Sequence, residues 1–170
     1  MVRNELSLVS QSQMTVEDHS LQEQMLSNTS QDAPGHLLEK LISEAAEKRR
    51  IVCGVYQAAQ LLEKHPSRVM VCILPDDIQD VEVHIHSLLI QAFCYENKIR
   101  LVKVDSESKL SSIISSKVGV ISPTSKIPAN FHCVIVKYPE MGHNITVEQF
   151  FQFYKNYRKA YISSVIALPS

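Results

Sequence analysis

The sequence contains little glycine. Only four of its 170 residues are glycine, and no two of them are close together. Phosphate-binding loops of nucleotide enzymes need clustered glycines, because their backbone must approach the phosphates closely. We therefore expect no dinucleotide site, no P-loop and no bound cofactor.

An excess of charge of either sign is also missing. The 17 lysines and arginines are balanced by 18 aspartates and glutamates, which leaves a net charge of −1. Nucleic-acid binding depends on cations that neutralise phosphates, so this balance does not predict it. No apolar run is long enough to span a membrane, and the first residues lack the apolar core of a signal peptide. We expect a soluble protein.

The cysteines and histidines form no recognisable motif. The four cysteines lie far apart without a C-x-x-C pair, which is typical of reduced cysteines in an intracellular protein. His84 and His86 are too close in sequence to share one side of a helix, so they predict no metal pair. A Cys–His nucleophile pair between distant residues stays open, but no feature of the sequence favours it.

Composition divides the chain into a tail and a domain. Residues 1–34 are rich in serine, glutamine, asparagine and acidic residues. Such a segment buries too little apolar surface to offset the entropy of ordering it, so we predict a disordered tail. Residues 35–170 carry the periodic apolar patterns and are predicted to form one domain.

Helical and strand patterns alternate along this domain. Apolar runs predict strands over residues 69–74, 99–104, 131–136 and 162–168. A helical period predicts helices over residues 36–50, 54–64, 80–96, around 110–114 and from 146 onwards. Residues 115–129, rich in serine, proline and lysine, are predicted to be a loop. The alternation predicts an α/β fold with a four-stranded, largely parallel or mixed sheet and helices on both faces.

The helix over residues 80–96 is apolar on two sides. One stripe is predicted to face the core and consists of Val81, Ile85, Leu88, Leu89 and Ala92. A second stripe without charge is predicted to form an interface and consists of Val83, Ser87, Ile90 and Cys94. A helix that is apolar on both sides is normally covered on both.

Four carboxylates directly before and within the start of this helix form the densest acidic cluster. We call them the acidic loop: Asp76, Asp77, Asp80 and Glu82. The cluster fits a solvated loop that complements the helix dipole. It also fits a docking patch for a basic partner. Metal binding or acid–base catalysis by paired carboxylates is the third and least favoured interpretation.

Residues 84–97, His-Ile-His-Ser-Leu-Leu-Ile-Gln-Ala-Phe-Cys-Tyr-Glu-Asn, closely resemble the central helix of the growth arrest and DNA-damage-inducible (Gadd) stress proteins. Segments 54–59, 68–74, 131–136 and 165–169 match in the same order. The resemblance implies a three-layer α/β/α sandwich with about five helices, shared with the ribosomal L7Ae/L30e-like superfamily.

The resemblance also implies a non-enzymatic adaptor of nucleus and cytoplasm, without metal or cofactor, that acts in growth arrest and apoptosis. Family members bind and activate a MAP kinase kinase kinase. They also contact proliferating cell nuclear antigen, the mitotic cyclin-dependent kinase and a cyclin-dependent kinase inhibitor. They self-associate through helices, including the one matched here, so a homodimer is expected.

The chain departs from the family pattern after the central helix, where basic residues replace acidic or neutral ones: Lys98, Arg100 and Lys103. The alternative function is RNA binding of the kink-turn type, which other proteins of this fold perform. Their Gly-x-Asn-Glu-x-x-Lys signature aligns with Gly54, Tyr56, Gln57 and Gln60, so only the glycine is retained. The lost cation makes RNA binding the weaker interpretation.

Overall fold

The computed structural model describes residues 33–121, 130–159 and 164–170. Residues 1–32 of the predicted disordered tail lie outside the described residues. Its last two residues, Ala33 and Pro34, are the first residues of a helix. Residues Pro34–Ser170 form one compact unit. Within the described ranges, no helix is both long and apolar enough to cross a membrane.

Five α-helices and five strands alternate along the described residues. The strands are β1 (Ile51–Cys53), β2 (Val69–Pro75), β3 (Leu101–Val104), β4 (Val134–Lys137) and β5 (Val165–Ile166). The helices are α1 (Ala33–Glu47), α2 (Val55–Lys64), α3 (Val81–Glu96), α4 (Glu107–Ile121) and α5 (Ile145–Tyr157). A 3₁₀ turn over Pro66–Arg68 leads directly into β2.

The strands form one mixed sheet in the order β1-β4-β2-β3-β5. β2 pairs with β3 and β3 with β5 in parallel, whereas β4 is antiparallel to both β1 and β2. All described strands except β4 therefore run in the same direction. Strands β1, β2, β3 and β5 finish at one end of the sheet, where β4 starts, and we call this the carboxyl end. The opposite end is the amino end.

Helices cover both faces of the sheet, which confirms the predicted α/β/α sandwich. On one face, α1, α4 and α5 pack through residues such as Leu41, Leu110 and Phe150. On the other face, α2 and α3 pack through Leu62 and Ile90. The central strand β2 is buried at every residue, as expected for a continuous apolar run with helices on both sides.

The sheet has one strand more than the sequence predicts. β1 is only three residues long, so it does not stand out as an apolar run. It exists because its backbone pairs with β4, with Ile51 opposite Val136 and Cys53 opposite Val134. Pairing with a strand far away in sequence is invisible to a local pattern.

The predicted loop over residues 115–129 is wrong in its first part, because α4 continues to Ile121. Ser116 is accommodated in this helix, where its hydroxyl donates to the carbonyl of Ile113 at 2.8 Å. Lys117 Nζ lies 3.1 Å from Glu47 Oε1 on α1, and Val118 packs against the core. The rest of the predicted loop, residues 122–129, lies outside the described residues.

Candidate protein-interaction surface

The inner face of α3 packs against the sheet and α2. Ser87, Ile90 and Cys94 expose only 6%, 5% and 1% of their surface, and Ile90 and Cys94 belong to the core that contains Leu62. Val83, at the margin of this face, is half-buried. The prediction that this stripe forms an interface is wrong in its choice of face, because the domain itself covers these side chains. Self-association stays a prediction.

The outer face of α3 is exposed, although the sequence predicts that it faces the core. Val81, Ile85, Leu88 and Leu89 expose 73%, 51%, 50% and 63% of their surface, and Ala92 is exposed too. Contiguous apolar patches on a soluble protein mark protein–protein contact sites far more often than scattered apolar residues do. The outer face of α3 is therefore the candidate interaction surface.

Side-chain size distinguishes the inner face from the outer one. Ser87 and Cys94 are small, so α3 can approach the sheet closely where they lie. The buried hydroxyl of Ser87 also keeps a hydrogen-bond partner, because it accepts from Gln91 Nε2 at 3.4 Å. The outer face carries the bulkier leucines instead.

Two tyrosines add to the exposed apolar surface. Tyr56 on α2 and Tyr95 near the end of α3 expose 73% and 87% of their surface, and the two helices pack against each other. Tyrosine is enriched at protein interfaces because it combines a large apolar ring with a polar tip. Sequence reasoning missed both. The one signal for Tyr56 was its place on α2 away from the buried Ala58 and Leu62.

The acidic loop lies at the carboxyl end of the sheet, directly before α3. Asp76, Asp77, Asp80 and Glu82 are all exposed, as a docking patch requires. Within the described residues, no three His, Cys, Asp or Glu side chains are grouped so that they could hold a metal ion. The loop therefore supports a charged surface and offers nothing for the metal interpretation.

Two carboxylates of the acidic loop also cap helices. Asp80 Oδ1 accepts hydrogen bonds from the backbone N–H groups of Glu82 and Val83 at 2.8 and 3.1 Å, so it is the N-cap of α3. Asp77 Oδ1 accepts from the backbone N–H of Glu107 at 2.9 Å, at the start of α4. These carboxylates stabilise the fold as well as giving the surface its charge.

The three basic residues that depart from the family pattern are separated in the fold. Lys103 Nζ lies 3.4 Å from Asp76 Oδ1, so it pairs with the acidic loop at the carboxyl end. Lys98 and Arg100 precede β3 and lie at the amino end. Lys103 therefore offsets part of the charge of the acidic loop, whereas Lys98 and Arg100 lie at the other end of the sheet.

Cys53 gives no support to a nucleophilic site. The four cysteines are free. Burial and the neighbouring Cys133 raise the pKa of Cys53 to about 12. A thiol with such a pKa stays protonated at neutral pH and is a poor nucleophile.

Gly54 is explained by the backbone at the start of α2. Its φ is +99°, a left-handed conformation that residues with a Cβ rarely adopt. The acidic loop lies at the same end of the sheet and would repel RNA phosphates. The one glycine retained from the RNA-binding signature is therefore required by the fold without any RNA.

Comparison with known proteins agrees with the fold. Residues 37–135 match the model of the ribosomal protein L7Ae/L30e/S12e/Gadd45 family. The chain belongs to this family. The predicted Gadd resemblance is thereby confirmed.

Proteins of this family with similar sequences carry the Gadd45 name. The chain is 37% identical over 132 residues to growth arrest and DNA damage-inducible protein GADD45 alpha of Homo sapiens, and 39% to that of Cricetulus griseus. It is 31% identical over 130 residues to GADD45 gamma of Bos taurus. Each of these alignments covers 74% of this chain and 79% of the relative.

Proposed function

We propose that this protein is a non-enzymatic stress-response adaptor that binds and activates a MAP kinase kinase kinase, and so regulates growth arrest and apoptosis. One observation carries the proposal. The outer face of α3 is apolar and exposed, and the acidic loop adjoins its N-terminus. An apolar stripe bordered by charge is the usual anatomy of a protein-docking surface.

The kinase segment that fits this surface is amphipathic and basic. Its apolar side chains would pack on Leu88 and Leu89, and its cations would lie near Asp77 and Glu82. An adaptor shifts a kinase towards its active state only by its differential affinity for the two states, and coupling of about 1–3 kcal/mol is typical.

Self-association is proposed on the same outer face, in place of the inner one. A second copy would bury Ile85, Leu88 and Leu89 against their equivalents across a two-fold axis. The copy and the kinase would then compete, so dimerisation would hide the docking surface. Proliferating cell nuclear antigen, the mitotic cyclin-dependent kinase and its inhibitor are further proposed partners, in nucleus and cytoplasm.

The test uses the full-length chain and one substitution on the outer face. Leu89→Asp should weaken both self-association, measured by sedimentation velocity, and binding of the kinase's N-terminal regulatory segment. A loss of roughly tenfold or more is expected for a residue at the centre of an interface. Ile145→Asp is the matched control, because Ile145 is an exposed aliphatic residue on α5, at the opposite face of the sheet.

Unchanged kinase binding by Leu89→Asp would contradict the docking surface. If Leu89→Asp weakens kinase binding but leaves sedimentation unchanged, self-association through this face is refuted and the kinase-docking surface is retained. A chain that ignores the kinase segment but binds a kink-turn RNA would favour the alternative function.

A further inference from the structure

Five cations gather at the amino end of the sheet, opposite the acidic loop. They come from the segments that enter β1, β2 and β3 and from the end of β4: Arg50, Arg68, Lys98, Arg100 and Lys137. Hydrogen bonds tie these segments together. Arg50 Nη1 donates to the carbonyl of Lys137 at 2.8 Å, and the N–H of Tyr138 donates to the carbonyl of Arg68 at 3.1 Å.

None of these cations has a carboxylate within ion-pair distance in the described part of the chain. Three lysines elsewhere do have one, since Lys103, Lys109 and Lys117 lie 2.9 to 3.4 Å from carboxylate oxygens. Arg50 is buried and already donates to Lys137, whereas Arg68 and Lys98 are exposed, so their positive charge is available to an external anion.

Arg100 is held in place by neutral partners. Its guanidinium lies 4.4 Å above the ring of Phe151, and Nη1 donates to the hydroxyl of Tyr138 at 2.9 Å. A guanidinium has five N–H donors, so most stay free for a ligand. Because the stack already restricts the side chain, little conformational entropy is lost when an anion binds.

Lys98 occupies a backbone position that favours glycine. Its φ is +56°, and it closes a Schellman motif in which Ile99 N–H donates to the carbonyl of Cys94 at 2.8 Å. A lysine in this left-handed conformation costs free energy that glycine would not. Arg49, after α1, has φ +54° in an equivalent motif, so it is a matched control for the backbone effect.

Lys98 and Arg100 share a depression of about 290 Å³ with three polar neighbours, Ser67, Asn97 and Tyr138. We propose that this depression binds a phosphate monoester. A dianion with several acceptor oxygens can accept hydrogen bonds from the guanidinium, ammonium, amide and hydroxyl groups of the residues that line the depression.

Nucleic acid fits the amino end less well than a single phosphate group. A strand contacts proteins through many phosphates along an extended basic stripe. Here the cations form one cluster, and the acidic loop lies at the opposite end of the sheet. The phosphate monoester could belong to a phosphorylated side chain of a peptide or to a small phosphorylated compound.

The experiment measures binding to the full-length chain by calorimetry at low salt. The probes are inorganic phosphate, a phosphoserine peptide, the same peptide without phosphate, and a single-stranded RNA. Arg100→Gln should weaken phosphoserine binding roughly tenfold, because a charge-assisted hydrogen bond is lost. Lys98→Gly should weaken it about threefold, as expected for an exposed cation.

Two glycine variants separate binding from folding. Lys98→Gly and Arg49→Gly should both raise the midpoint of urea unfolding, because each relieves a left-handed side chain. Only Lys98→Gly should weaken phosphoserine binding. This comparison stays informative even if Arg100→Gln loosens the contact with Phe151.

If the phosphopeptide and inorganic phosphate each bind, the site recognises the phosphate group itself. Binding of the phosphopeptide alone would assign it to a phosphorylated protein segment. The proposal is overturned if no phosphate probe binds, or if binding ignores both Lys98→Gly and Arg100→Gln. It is also overturned if only RNA binds, or if salt-sensitive self-association through these residues replaces phosphate binding.

Discussion

The two faces of α3 both lack charge, but their environments are opposite. The inner face, with Ser87, Ile90 and Cys94, is covered by the sheet and by α2. The outer face, with Leu88 and Leu89, is at least half exposed. Neither face carries a charge that would have revealed its orientation.

This difference shows that an apolar stripe on a helix predicts that the stripe is covered. It does not predict whether the domain itself or a partner covers it. The domain covers the inner face, and its apolar side chains stabilise the fold. An apolar outer face costs solubility unless a partner covers it, so its residues are better explained by binding than by folding. Substitutions on the two faces should accordingly affect different measurements.

The largest expected effect is a difference in stability between substitutions on the inner and the outer face of α3. Ile90→Ala removes buried methyl groups and should lower the free energy of unfolding by about 2–5 kcal/mol. The adjacent Leu89→Ala should change it by less than about 0.5 kcal/mol, because Leu89 is exposed. Urea unfolding of both variants measures this. Equal losses would contradict the assignment of the faces.

A smaller effect concerns Asp80, which fixes where α3 begins. Asp80→Ala removes the N-cap and should lower the free energy of unfolding by about 1 kcal/mol. Asp80→Asn keeps an oxygen that accepts the same hydrogen bonds, so its stability should be close to that of the wild-type chain. Binding of the kinase segment to Asp80→Asn then measures the charge alone. If Asn destabilises as much as Ala, the cap is not the reason for the loss.

The smallest effect is expected from pH and leaves both faces of α3 intact. Burial raises the pKa of Asp105, but the Leu168 N–H and the Lys109 ammonium outweigh it and leave this pKa below its ordinary value. The resulting stabilisation is present above the unfolded-state pKa of about 3.9 and is lost as pH falls through the lower folded value.

Asp105→Asn should therefore flatten the loss of stability in acid without changing the shape of the profile near neutral pH. The contact is partly exposed, so solvent screening keeps the effect small. Urea unfolding at a series of pH values checks this. If Asp105→Asn loses stability in acid as steeply as the wild-type chain, Asp105 does not cause that loss.

Several features of the fold could be predicted because they depend on neighbours in sequence. The run over residues 69–74 became β2, and the alternation of strands and helices gave the α/β class. The helix after the acidic loop began within one residue of its predicted start, because Asp80 is a good N-cap wherever it occurs. The first part of the predicted serine-rich loop, residues 115–121, is helical instead, because serine hydroxyls can also bond within a helix, as Ser116 does.

The candidate site was predictable only in part. The exposed carboxylates of the acidic loop were identified from composition, since charge next to a helix start belongs at the surface. The exposed Tyr56 and Tyr95 were not identified, because nothing local distinguishes an exposed tyrosine from a buried one. Lys98 and Arg100 were noted as departures from the family pattern, but their separation from Lys103 required the sheet.

The sequence by itself determined the family, the order of all the elements except β1, and the absence of charge on both apolar stripes of α3. Only the tertiary structure decided which face of α3 is buried and which charges share one end of the sheet. The physical reason is that periodicity fixes which residues share a face, whereas burial depends on surfaces supplied by segments far away in sequence. Here β2, β4 and α2 supply that surface and turn Ile90 inwards and Leu89 outwards.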